Sequence, residues 1–75
     1  MILKLTYKYK EESMEIEITC ANYTFGLPKL FYLFNEKHNA GVNCLKKEGI
    51  VTDVVINSFY DGRWRILSSA TVGFR

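Results

Sequence analysis

Histidine, proline and tryptophan each occur once among the 75 residues, and cysteine twice. A nucleophilic site would therefore have to enlist His38, with Cys44 as nucleophile and Asp53 as orienting acid. His38 falls near the end of the one strong helical pattern, where the helix dipole favours imidazolium, a poor base. The expectation is a packing or capping histidine and an inert thiol. Cys20, His38 and Cys44 also lack the close pairs that structural zinc sites use. No metal and no cofactor is expected. Cysteines so far apart give no disulfide framework and read as reduced thiols. The five glycines are dispersed, so they form no phosphate cradle and read as turns and caps. Paired carboxylates occur only as Glu11 with Glu12 and Glu15 with Glu17, on a hairpin opposite lysines, where nothing is expected to raise a carboxyl pKa. The chain does not read as an enzyme.

Other absences bound its surroundings. No apolar run approaches the ~20 residues of a membrane span. The opening residues lack the basic leader, apolar block and cleavage site of a signal peptide, and a cytoplasmic location is expected. Low-complexity tracts, repeats and linkers are missing too, so residues 1–75 read as one domain. The net charge of +2 is far from the strongly basic balance of a dedicated nucleic-acid binder.

What is present is a small core rich in aromatics, which form 15% of the chain and bury much area with few side chains. Residues 26–41 read as a helix, with Pro28 at its first position and Gly41 just past its end. Leu27, Leu30, Phe31, Phe34 and His38 fall at i, i+3, i+4, i+7 and i+11, one stripe that must lie on a sheet. Tyr23 and Phe25 are expected to tuck under this helix.

Strands flank it. Leu3, Leu5, Tyr7 and Tyr9 alternate with Lys4, Thr6, Lys8 and Lys10; Met14, Ile16, Ile18 and Cys20 alternate with Glu15, Glu17 and Thr19. A hairpin over 11–13 would set Tyr9 against Met14 and Lys8 against Glu15, or slip by two to set Lys10 against Glu15 and Lys8 against Glu17. Residues 42–45 read as a short edge strand and 46–49 as a hairpin loop. Residues 50–59 and 64–72 are strands joined at Asp61-Gly62, the strongest turn signal in the chain. A two-residue turn there sets Phe59 opposite Trp64, Ser58 opposite Arg65 and Ile56 opposite Leu67.

The fold expected is α+β: one antiparallel sheet of four or five strands, in the order ββα(β)ββ, with the helix across one face. Its core would hold Leu3, Leu5, Tyr7, Ile16, Ile18, Leu30, Phe31, Phe34, Val55, Phe59, Trp64 and Ile66, with Ala70 on the same side. The opposite face of the second hairpin would then carry Val54, Ile56, Tyr60, Arg63, Arg65 and Leu67. Apolar groups beside tyrosine and arginine are what binding interfaces favour. These six residues are the expected partner-binding surface, for another protein or a second copy in a homodimer. The implied role is a non-enzymatic interaction module, an inhibitor or adaptor of the kind viruses and mobile elements encode. Nucleic acid is the second choice: Arg63, Arg65 and Arg75 follow the last acid, Tyr60 could stack a base, and Ser58 and Ser69 add hydrogen-bonding groups.

Overall fold

The computed structural model describes residues 1–67. The elements run β1 (Ile2–Tyr9), β2 (Glu12–Thr19), α1 (Tyr23–His38), α2 (Val42–Lys47), β3 (Val51–Tyr60) and β4 (Arg63–Leu67). The strands form one four-stranded antiparallel sheet in the order β2-β1-β3-β4. The α+β architecture is the expected one. Residues 68–72 of the last strand, with Ser69, Ala70 and Arg75, lie outside the described residues.

β1 is a central strand because its alternating Leu3, Leu5 and Tyr7 are fully or almost fully buried on one face. Its hairpin with β2 is tighter than the sequence suggested. Tyr9 faces Glu12, Tyr7 faces Met14 and Leu5 faces Ile16, so neither expected register occurs. The turn is Lys10-Glu11 alone, both at positive φ (50° and 70°). That mirror-image turn matches the twist of the strands and lets Glu12 and Ser13 join β2 instead of the loop. The charge pairing moves accordingly. Lys4, not Lys8, meets the glutamates, with Nζ 3.7 Å from Glu15 and 3.8 Å from Glu17.

α1 begins earlier than expected. Asn22 caps it by accepting a hydrogen bond from the Phe25 amide at 3.2 Å. Pro28 therefore lies inside the helix, where it forfeits the bond to the Thr24 carbonyl. Both residues are exposed, so water can serve that carbonyl. Asn39, in the left-handed region at φ 56°, ends the helix in place of the expected Gly41. Tyr23 and Phe25 belong to the first turn; Phe25 points to solvent. The expected stripe does face the sheet: Leu30 and Phe34 are fully buried, and Leu27, Phe31 and Leu33 pack around them. Each large apolar side chain so buried contributes about 1.5–3 kcal/mol, which is what holds a helix of this length in place.

Residues 42–45 are not a strand. They open α2, whose Val42 and Leu45 are spaced i, i+3 and are both buried, while Asn43, Cys44, Lys46 and Lys47 face out. The apolar spacing over one turn was too short to distinguish from alternation. α1 lies over β1 and β2, α2 lies over β3, and β4 packs mainly on β3.

The largest correction concerns the second hairpin. Ile56 and Ser58 face the helices and are buried, at 1% and 0% exposure; Val55, Phe59, Trp64 and Ile66 lie on the outer face. The pairing with β1 decides this, since Leu5 faces Ile56 and Leu3 faces Ser58. A bulge at Asp53 (φ 54°), between the Thr6 and Lys8 pairings, then lets Val51 face inward as well. Ser58 is accommodated because its hydroxyl lies 3.0 Å from the Tyr23 hydroxyl. The core thus contains Val42, Leu45, Val51 and Ile56 in place of Val55, Phe59, Trp64 and Ile66.

Candidate functional site

The β3–β4 hairpin carries exposed aromatic, apolar and arginine side chains, and its local geometry follows from the turn. Asp61 and Gly62 take φ 51° and 77°, a two-residue mirror-image turn. The cross-strand partners are those the sequence indicated: Phe59 with Trp64, Ser58 with Arg65, Ile56 with Leu67, and also Tyr60 with Arg63.

The expected site residues divide between surface and interior. Tyr60 and Arg63 are exposed and Arg65 is half-buried, all on the helix side of the sheet at its β4 edge. The Arg65 guanidinium lies 3.7 Å from the centre of the Tyr60 ring, and its Nη1 donates to the Tyr60 carbonyl at 2.9 Å. Leu67 and Val54 are half-buried against the core. Ile56 is core and offers a partner nothing.

The outer face supplies what the sequence reading had assigned to the interior. Trp64 is 46% exposed and Ile66 74%. Phe59 lies against Trp64, ring centres 5.2 Å apart, and faces Ile2 across β1. Lys4 Nζ sits 4.8 Å from the Trp64 ring while reaching Glu15 and Glu17. An apolar group therefore sits at the β4 edge with polar groups towards β2, the layout of a small interface with a rim. The sequence signal for it was present as alternation in 63–67. That alternation does not say which face is inward, and the aromatic face is the outer one.

His38 has a different role. Its Nε2 is hydrogen-bonded to the Tyr7 hydroxyl at 2.5 Å, its ring stacks on Tyr9 with centres 4.4 Å apart, and Phe34 lies alongside. Burial pushes the Tyr7 phenol above its ordinary pKa, which keeps it a donor. Burial, and secondarily the Lys37 charge, lower the His38 pKa below its ordinary value. A donor on Nε2 places the neutral ring's proton on Nδ1. The favourable helix C-terminus is outweighed by the apolar surroundings.

Because the folded pKa is lowered, the histidine's contribution is complete above its unfolded value near 6.5 and is lost as pH falls through the folded value. Thermal melting should therefore fall as the pH drops below about 6.5, and His38→Gln should flatten that limb of the curve.

The residues considered for catalysis are not assembled. Cys44 is exposed on α2, His38 is held by Tyr7 and Tyr9, and the Asp53 carboxylate is 3.6 Å from Lys8 Nζ. Cys20 is a free thiol packed where Gly26 comes close. Among the described residues, no three His, Cys, Asp or Glu side chains gather where they could hold a metal ion. No helix among them is long and apolar enough to cross a membrane.

The chain was compared with protein-family models, curated proteins and solved structures, and none of the three gave a match.

Proposed function

We propose that this chain is a non-enzymatic protein-interaction module that acts from the β3–β4 hairpin. The observation that carries this reading is the exposure of Trp64 and Ile66, 46% and 74%, on the terminal strand of the described sheet. Large apolar side chains left in water cost free energy unless something covers them, and tryptophan and arginine are the residues that dominate binding energy at interfaces. Tyr60, Arg63 and Arg65 extend the surface around the same strand. The module covers part of its partner, as an inhibitor or adaptor does, in the cytoplasm. Small viral and mobile-element proteins commonly work this way.

Nucleic acid ranks second, favoured by the Arg65–Tyr60 stack beside Arg63. It ranks below protein because the chain's net charge is only +2, too little for a long-range field that gathers phosphate.

The test is the double variant Trp64→Ser, Ile66→Ser. Its melting temperature is expected to stay within a few degrees of the parent, since surface changes rarely exceed about 0.5 kcal/mol. A protein co-purifying in stoichiometric yield with the tagged parent chain from its native host should be absent with the variant. Equal recovery with both would remove the hairpin from the interface.

A further inference from the structure

The edge of β4 carries information that its faces do not. In a two-residue hairpin the residues flanking the turn exchange both backbone bonds. Tyr60 with Arg63, Ser58 with Arg65 and Ile56 with Leu67 are therefore the hydrogen-bonded pairs, and the N–H and C=O groups of Trp64 and Ile66 point away from β3. β4 is the last strand of the described sheet. Proteins usually blunt such an edge with proline, a bulge, a covering helix or charged side chains, and of these β4 carries only the charges of Arg63 and Arg65, which admit a strand of opposite charge. Residues 63–67 contain no proline, the strand pairs with β3 without a register shift, and both helices lie over other strands.

The side chains next to those groups alternate in chemistry. Trp64 and Ile66 stand on the outer face, and Arg63 and Arg65 on the other. A second β4 brought alongside would crowd arginines together, so the edge selects against its own copy. The other sheet edge, β2, differs: its inward face already packs under α1 and its outward face carries Glu15 and Glu17. Of the two edges of the described sheet, β4 offers an incoming strand apolar contact on one side and positive charge on the other.

We infer that β4 is a strand-addition site, and that its occupant is an extended protein segment alternating apolar and acidic residues. This rests on the interaction-module reading and names the partner's chemistry. In an antiparallel addition, apolar residues of the segment form hydrogen-bonded pairs with Trp64 and Ile66. A carboxylate then stands opposite Arg65 in the closer, non-hydrogen-bonded position. In the free chain Arg65 stacks on Tyr60 of β3 and gives the Tyr60 carbonyl one of its five N–H groups, so the contact uses another N–H group or a swing of the side chain towards the edge.

The experiment titrates the whole chain, followed by Trp64 fluorescence, with a short blocked peptide alternating valine and glutamate. Two controls accompany it: the same peptide with lysine for glutamate, and the glutamate peptide N-methylated at every valine. The expected result is saturable binding of the first peptide. The lysine peptide should bind about tenfold more weakly, from two opposed charge pairs, and the methylated one should not bind. The folded variant Arg63→Glu, Arg65→Glu should reverse the preference between glutamate and lysine.

Equal binding of the methylated peptide would overturn strand addition in favour of docking on a face. Concentration-dependent self-association of the parent chain, abolished by Trp64→Ser, Ile66→Ser, would overturn the inference by naming a second copy as occupant. If no peptide binds but the native partner is still lost with Trp64→Ser, Ile66→Ser, the edge inference fails and the module reading stands. If partner recovery ignores that variant, the module reading itself fails.

Discussion

Replacing Phe34 by alanine is expected to cost about 3–5 kcal/mol and to lower the urea midpoint steeply. Phe34 is fully buried in the middle of α1, with the Tyr7 ring edge-on at 4.9 Å and His38 at 4.6 Å. Its removal opens a hole at the point where the helix, β1 and the histidine contact meet. Small domains have only roughly 5–10 kcal/mol in total, so the loss is about half of the margin. Far-ultraviolet circular dichroism against urea reads this directly. The contrast with Phe25, exposed on the first turn of the same helix, isolates the cause. Phe25→Ala should shift the midpoint little.

Gly26→Ala is expected to destabilise by about 1–3 kcal/mol, the range for overpacking a tight core. Alanine at a helix interior is ordinarily favoured over glycine by about 1 kcal/mol. Here the added Cβ would lie 2.4 Å from Cys20 Sγ and 2.7 Å from Leu3 Cδ1, closer than real contacts allow. Gly26 is the place where α1 presses against β1 and the residue that follows β2. The steric term wins because Leu3 sits in the fully buried core and has little room to give. Adding Cys20→Ala removes the nearer contact and not the Leu3 one. Partial recovery of the denaturation midpoint in that double variant is therefore predicted. A Gly26→Ala protein more stable than the parent would show that the helix can lift away at no cost.

How far the fold was legible depended on whether the controlling information was local. The stripe Leu27, Leu30, Phe31, Phe34 could be read because one helix face repeats within its own span. The Asp61-Gly62 turn could be read because its chemistry sits in two residues. The first hairpin's turn could not, since Lys10 and Glu11 adopt positive φ without glycine or asparagine to announce it. Such residues cost about 1 kcal/mol each in the left-handed region, so the pull comes from the flanking strands. The facing of β3 was hidden for a related reason. Val51, Ile56 and Ser58 point inward because of the register on β1 and the bulge at Asp53, neither of which is a local pattern.

The candidate site was half legible. Tyr60, Arg63 and Arg65 were identified from their position around the turn, and they do lie at the surface. The apolar character of Trp64 and Ile66 points to the core and the alternation puts Ile56 at the surface, yet the first two are exposed and Ile56 is buried. The register of β3 on β1 explains the inversion, and the packing of Phe59 on Trp64 at the outer face follows from it. An aromatic pair across a hairpin does not by itself declare which face is inside.

Hydrogen exchange at the Trp64 and Ile66 amides, in the free chain, tests the open binding edge most directly. If β4 is uncovered, both amides should exchange at nearly the rate of an unfolded chain, while the Arg65 amide, bonded to β3, is protected. Adding the valine–glutamate peptide or the native partner should then slow the Trp64 and Ile66 amides. Strong protection of both in the free chain would contradict the account, because the edge would already be occupied.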